Sequence, residues 1–265
     1  MNFGAAGAEL WHAAPALRVV LGGVLGALFG SFIGAAAVRL PAGVSPIAGR
    51  SRCDGCGRPL GPGELVPLLS FALQRGRCRG CARPIDRWQP AAEAGGLLIG
   101  ALAAGWSSGP ITWAVGFILG LQLLLLGLLD LRHFWLPERL VVLLAATGLA
   151  WGWLRFGATW DLLAECLAGG AIGFGLLWLP AAGYRKLRGR EGMGAGDPKL
   201  LGAMGLWLGP LSVVLTLLGA SLAGLIAAAG LALGGRRIDE QTVLPLGSLL
   251  ALAGWIVWLA NGGLG

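Results

Sequence analysis

The chain has 265 residues, of which 56% are hydrophobic and only 12% charged, and its mean hydropathy is +0.74. These figures exclude an ordinary soluble domain and identify a polytopic membrane protein. The net charge of +7 needs no nucleic acid to explain it, because the basic residues sit in loops between apolar runs, where anionic headgroups attract them.

A helix needs roughly 20 apolar residues to cross about 30 Å of hydrocarbon, and it must satisfy its backbone groups internally. Spans are predicted at residues 16–38, 90–106, 111–129, 140–154, 162–182, 200–208, 211–233 and 243–260. The run 200–208 is short, only about 14 Å at 1.5 Å per residue, and could be tilted, flanked by thinned bilayer or re-entrant. With all eight crossing and the N-terminus outside, every basic residue except Arg18 and Arg155 falls on the inner side, which is the positive-inside pattern. The first run lacks a basic leading region and is followed by arginines, so it is expected to remain as a span. The expected architecture is an all-α polytopic membrane protein of about eight transmembrane helices, with a small cytosolic zinc-ribbon-like domain between the first two. Its parts are a first helix at 1–39, a four-cysteine domain at 40–89 and a membrane-embedded core at 90–265.

Residues 40–89 are rich in Arg, Pro and Gly and contain four of the 5 cysteines. They form a repeat, Arg-Cys-x-Gly-Cys-x-Arg-Pro followed by Leu or Ile, carrying Cys53 and Cys56, then Cys78 and Cys81. Two Cys-x-x-Cys turns 21 residues apart match the spacing at which each turn supplies two thiolates to one tetrahedral zinc. Two disulfides or a redox pair are the alternative, disfavoured on a reducing inner face. Four thiolates close the site, so Zn2+ or a similar thiophilic metal there is structural.

Glu93 lies one turn into the second predicted span, where an unpaired carboxylate is costly. It either contacts a substrate or methyl donor, or pairs with Arg87 or Arg39. Asp130 closes the third span in Leu-Leu-Asp-Leu-Arg, and Asp197 stands before the sixth within Gly194-Ala195-Gly196-Asp197-Pro198-Lys199. Charges at the hydrocarbon boundary are functional candidates, and two carboxylates brought together can share a proton, one activating water while the other polarises a carbonyl. Gly194 and Gly196 would let the backbone turn sharply and a peptide approach Asp197. The plain alternative pairs the two acids with Arg132 and Lys199 as ordinary span ends. Lys199 either tunes the pair or snorkels to headgroups. Cys166 reads as an apolar filler, and His12 and His133 lie too far apart to make a metal site. Gly-Ala runs such as Gly95-Gly96 and 168–171 suit close helix packing. Tryptophans near span ends, among them Trp106, Trp135, Trp151, Trp160, Trp207 and Trp258, suit interfacial belts.

These motifs stand in a specific order over almost the whole chain: Gly30-Ser31-Phe32 with Arg39-Leu40-Pro41, the paired knuckles enclosing Val66-Pro67-Leu68-Leu69-Ser70-Phe71 and Arg75-Gly76-Arg77, Pro90 with Glu93, Asp130 followed by Leu136-Pro137, and Gly194 to Leu201. In this the chain resembles the type IV prepilin peptidases of pilus and type II secretion systems, bifunctional leader peptidases and N-methyltransferases. The resemblance implies an integral aspartic protease of the Gly-x-Gly-Asp type in the bacterial inner membrane, with Asp130 and Asp197 as its dyad on the cytosolic side. Its substrate would be a prepilin or pseudopilin, cut between a basic leader and a hydrophobic helix. The resemblance also implies methylation of the new N-terminal amine with S-adenosylmethionine, an activity the family associates with the cysteine-containing domain. No nucleotide-binding fingerprint here marks that second activity.

The chain departs from the family pattern at two places. Gly34 stands where the family commonly has Asn, which leaves the substrate or methyl-donor contacts of the first span open. Leu136-Pro137-Glu138 stands for Leu-Pro-Asp, which keeps a carboxylate. Two rival readings are a peptidase without methylation and a non-enzymatic scaffold or transporter subunit with a zinc-ribbon docking domain.

Overall fold

The computed structural model describes residues 11, 13–190, 192–234 and 244–262. His12, Arg236, Arg237 and the first residue of the last predicted span lie outside the described residues. The chain divides into two compact units, Met1–Leu125 and Leu126–Gly265.

In the first unit, α1 (Pro15–Arg39), the short α2 (Leu69–Leu73), α3 (Trp88–Trp106) and the beginning of α4 (Pro110–His133) follow one another. Helices α1 and α3 touch backbone to backbone. A Cβ on Gly26 would stand 2.0 Å from the Gly96 carbonyl oxygen, and one on Gly100 would stand 2.0 Å from that of Gly22. Only residues without side chains permit this approach, which replaces the hydrophobic driving force that lipid does not supply. The buried face of α3 includes Ala92, Glu93, Gly96 and Gly100, so the same contact that packs the helices carries Glu93 against α1.

In the second unit the end of α4 is followed by α5 (Glu138–Phe156), α6 (Ala168–Arg188), α7 (Gly196–Leu233) and α8 (Leu246–Ala260), with a π-helical segment, Leu163–Leu167, leading into α6. Helices α6 and α7 repeat the glycine device, a Cβ on Gly205 falling 2.1 Å from Gly169 O. Trp207 donates from Nε1 to the Leu144 carbonyl at 2.8 Å, tying α7 to α5. Of the tryptophans expected in belts, Trp106, Trp135 and Trp160 are exposed, whereas Trp151, Trp207 and Trp258 are buried core residues. Helix α7 breaks at Gly209 (φ 78°, ψ 178°), a conformation open essentially to glycine, and Pro210 follows without an N–H to continue the ladder.

The expected architecture is corrected in two respects. Among the described residues, five helices are long and apolar enough to cross a bilayer, Pro15–Arg39, Pro110–His133, Glu138–Phe156, Ala164–Arg188 and Gly196–Leu233, with Leu246–Ala260 shorter. The runs 200–208 and 211–233, expected as separate spans, are the two helical arms of α7, which meet at the non-helical Gly209. The expected zinc ribbon is absent, because a ribbon is built from β-hairpins and no strand forms among the described residues. Each knuckle makes one isolated bridge, Arg52 to Pro59 and Arg77 to Pro84. A proline in each bridge removes the N–H that the next rung of a ladder would need. Between the knuckles the chain forms a 3-10 turn, Pro62–Glu64, and the one-turn helix α2.

Candidate functional site

Asp130 lies in the last turn of α4 and Asp197 in the first turn of α7, only 5% and 8% exposed. The two carboxylates lie within Coulombic range of each other. The loop between α4 and α5 sets the geometry around them. Phe134, at φ 50°, closes α4 by donating its N–H to Asp130 O at 2.8 Å, and Pro137 precedes α5. Leu136 is thereby placed against two glycines: a Cβ on Gly196 would stand 2.9 Å from Leu136 Cβ, and one on Gly247 would stand 3.1 Å from Leu136 Cδ1.

Neither Gly194 nor Gly196 has a positive φ, so what glycine supplies at these positions is space. A Cβ on Gly194 would lie 3.1 Å from Asp197 Oδ2. The Asp197 N–H donates to Gly194 O at 3.3 Å, and the helix begins at Gly196, with Pro198 inside its first turn, where a missing N–H does no harm.

Two residues at the site carried no sequence signal strong enough to find them. Ser248, in the first turn of α8, donates its backbone N–H to Asp130 Oδ2 at 2.7 Å, and its hydroxyl lies 3.0 Å from the same oxygen. A Cβ on Gly247 would come within 2.9 Å of Asp130 Cγ. In the sequence, Pro-Leu-Gly-Ser before an apolar run marks only a helix start.

Lys199 is ion-paired with Glu138 across the start of α7 and the start of α5. The pair is exposed. The buried carboxylates are thus a pair apart from this ion pair, able to divide the work of accepting a proton from water and polarising a carbonyl.

The four cysteines of the knuckles converge. Their Sγ atoms all lie within 4.8 Å of one another, with Cys53 and Cys81 3.9 Å apart. A tetrahedron with metal–sulfur bonds of about 2.3 Å has edges of about 3.8 Å, whereas a disulfide would require about 2.05 Å. The cluster is therefore capable of chelating a metal. The knuckles are built alike: Gly55 N–H donates to Cys53 Sγ and Gly80 N–H to Cys78 Sγ, each at 3.3 Å, while Cys53 N–H reaches Arg58 O and Cys78 N–H reaches Arg83 O, each at 2.9 Å. N–H groups of Cys81 and Gly80, with the Cys53 thiol, hold the Cys78 thiol down at about 6, which readies it as a thiolate ligand. Each knuckle also packs its arginine on the other's glycine, since a Cβ on Gly80 would meet Arg58 and one on Gly55 would meet Arg83. Arg58 makes a bidentate ion pair with Glu64. That pair, with the Gly61 N–H, holds the Glu64 carboxyl below the usual range.

Glu93 pairs with neither Arg87 nor Arg39. Its Oε1 accepts from Ser31 Oγ at 2.8 Å and Gln89 Nε2 at 3.1 Å, and its Oε2 accepts from Leu68 N–H at 2.7 Å. This network forms part of the wall of a cavity of about 480 Å³ in the first unit, which Arg39, Asp54, Phe71 and Asp86 also line. Gly34, the departure in the first span, leaves room for Gln89, whose Oε1 would lie 2.6 Å from a Cβ there.

The family profile described as the Bacterial Peptidase A24 N-terminal domain matches residues 24–106, and that of the Type IV leader peptidase family matches residues 117–229. A protein of Pseudomonas aeruginosa named prepilin leader peptidase/N-methyltransferase is 33% identical over 261 residues, covering 89% of this chain and 88% of the relative. A protein of the same name from Stutzerimonas stutzeri is 32% identical, covering 92% of this chain and 91% of its own. Another from Burkholderia pseudomallei is 35% identical over 81% of this chain and 68% of its own. No solved structure matches the chain.

Proposed function

Because the chain belongs to the type IV leader peptidase family and is an enzyme of its leader-peptidase and N-methyltransferase kind, we propose that Asp130 and Asp197 are the catalytic pair of its peptidase reaction. The substrate is a prepilin or pseudopilin, cut between its basic leader and the hydrophobic helix that follows. The observation that carries this reading is the burial of two carboxylates from distant parts of the chain, grouped around Leu136, Gly196 and Gly247. One carboxylate takes a proton from the attacking water while the other donates to the scissile carbonyl oxygen; the proton then passes to the leaving amine. Arg132, Arg139 and Lys199 flank the helix ends that carry the pair, which supports placing it at the cytosolic face of the bacterial inner membrane. Asp130→Asn and Asp197→Asn are each expected to lower cleavage of a membrane-embedded leader substrate by about a hundredfold or more. Substantial turnover by either variant would sink the dyad.

Methylation of the new N-terminus is assigned to the first unit. The cavity beside Glu93 suits S-adenosylmethionine in chemical character: Asp54, Asp86 and Glu93 suit its cationic groups, Arg39 its carboxylate, and the Phe71 ring its adenine. The group supplies a methyl carbon on a positively charged sulfur, which passes to a neutral amine. The four cysteines hold Zn2+ as a structural ion next to this cavity, whose wall includes Cys53 and Cys78. Calorimetric titration of S-adenosylmethionine into the protein tests the assignment. Phe71→Ala is expected to weaken binding about tenfold, and unchanged binding would remove the cavity from consideration.

A further inference from the structure

Asp130 is held by a residue outside both acidic motifs, and that residue has one more acceptor than its single hydroxyl proton can serve. Ser248 Oγ lies 3.0 Å from Asp130 Oδ2 and 2.8 Å from the carbonyl oxygen of Gly127. The Ser248 N–H reaches Oδ2 as well, at 2.7 Å. Gly127 O can only accept, whereas a carboxylic acid can accept or donate.

We infer that Ser248 is a positioning residue for the peptidase reaction, satisfying Asp130 in both of its protonation states by rotation of one hydroxyl. This rests on the reading of Asp130 as one of the catalytic pair. When Asp130 is ionised, the hydroxyl donates to Oδ2 beside the N–H donor. When Oδ1 carries the proton, Oδ2 is a carbonyl oxygen that keeps the Ser248 N–H, and the hydroxyl can turn to donate to Gly127 O. No heavy atom has to move between the two states. Oδ2 thus remains on Ser248 throughout, and Oδ1, which accepts no hydrogen bond among the described residues, is left for water and substrate. An acid that gains and loses a proton in each turnover benefits from such a partner, because the second donor on Oδ2 is present while the group is charged and can turn away when it is neutral.

Gly247 makes the arrangement possible. A Cβ there would stand 2.9 Å from Asp130 Cγ and 3.0 Å from Oδ2, displacing the carboxylate from the Ser248 N–H.

The test is a kinetic comparison of Ser248→Ala and Ser248→Thr in the full-length enzyme on a leader-bearing substrate, with melting temperatures recorded in the same detergent. Ser248→Ala is expected to lower kcat about tenfold with KM unchanged, and Ser248→Thr, which restores a hydroxyl, to recover kcat to within about threefold of the parent. Full kcat in Ser248→Ala overturns the inference, as does equal loss of kcat in both variants with matching loss of melting temperature, which would mean packing alone. An inactive Asp130→Asn enzyme alongside an unimpaired Ser248→Ala enzyme refutes only the role of Ser248. An active Asp130→Asn enzyme refutes the dyad itself.

Discussion

Leu68 donates its backbone N–H to Glu93 Oε2 at 2.7 Å from a positive-φ conformation, φ 60°, ψ −47°. A non-glycine residue in such a sparsely populated region costs on the order of 1–3 kcal/mol, and the hydrogen bond to the buried carboxylate helps to offset it. All three hydrogen bonds to Glu93 come from donors, so Glu93→Gln must set its new NH2 against a donor whichever way the amide turns. We expect a loss of about 1–3 kcal/mol of stability, read as a lowered melting temperature. Methyl transfer to a pre-cleaved peptide should fall about tenfold or more while leader cleavage stays within about threefold. Equal loss of both activities would mean that Glu93 serves the fold alone.

The cysteine cluster gives a second expectation. The purified enzyme should carry about one zinc per chain, and Ser at any of Cys53, Cys56, Cys78 or Cys81 should remove most of it, because a tetrahedral site has no spare ligand. Elemental analysis checks the stoichiometry. Stripping the metal with a chelator should abolish methyl transfer before leader cleavage, since cavity and cluster share Cys53 and Cys78. An enzyme that is free of metal and fully active in both assays would contradict a structural ion.

Some of this arrangement was legible in the sequence. Cys-x-x-Cys at fixed spacing states a ligand set by itself, and the Sγ atoms do converge. The ribbon was not legible, because spacing specifies where thiolates meet and not what joins them; here Pro59 and Pro84 stop each bridge from growing into a ladder. Hydropathy marked the apolar runs, and Gly209-Pro210 marked the break between 200–208 and 211–233, where the backbone is non-helical. Asp130 and Asp197 stand out as acids beside apolar runs, whereas Ser248 looks like any residue at a helix start. Its importance comes from tertiary contact with an acid on another helix, which no local pattern encodes.

Gly196 and Leu136 should be energetically coupled. A Cβ on Gly196 would stand 2.9 Å from Leu136 Cβ, a contact near the backbone that a rotamer change cannot relieve. Gly196→Ala is therefore expected to cost about 1–3 kcal/mol by overpacking and to depress cleavage by displacing the neighbouring Asp197. In the double variant with Leu136→Gly, which removes that Cβ, part of the rate should return, giving a coupling energy of about 0.5 kcal/mol or more. Strict additivity of the two rate losses would show that the clash is not what Gly196 avoids.

The ion pair of Lys199 with Glu138 should matter little despite its closeness to the acidic site. Both side chains are largely exposed, at 47% and 74%, and exposed pairs contribute about 0–1 kcal/mol. Lys199→Ala and Glu138→Gln should each change stability by less than about 1 kcal/mol and cleavage by less than about threefold, with the effect shrinking further in high salt. A hundredfold loss in Lys199→Ala would instead make the ammonium part of the chemistry.

The kink in α7 provides the sharpest contrast between glycines. At Gly209 (φ 78°, ψ 178°) any other residue is strained by on the order of 1–3 kcal/mol, and a Cβ would also approach Glu165 Oε2 at 2.8 Å. At Gly230 the φ is ordinary, and a Cβ would meet nothing within 4 Å, so alanine there should gain up to about 1 kcal/mol from helix propensity. The two Gly→Ala variants should therefore move the melting temperature in opposite directions. Only Gly209→Ala should also slow cleavage, because Asp197 sits at the far end of the arm that the kink aims. A Gly209→Ala enzyme as fast and as stable as the parent would mean that the bend plays no part in placing the acid.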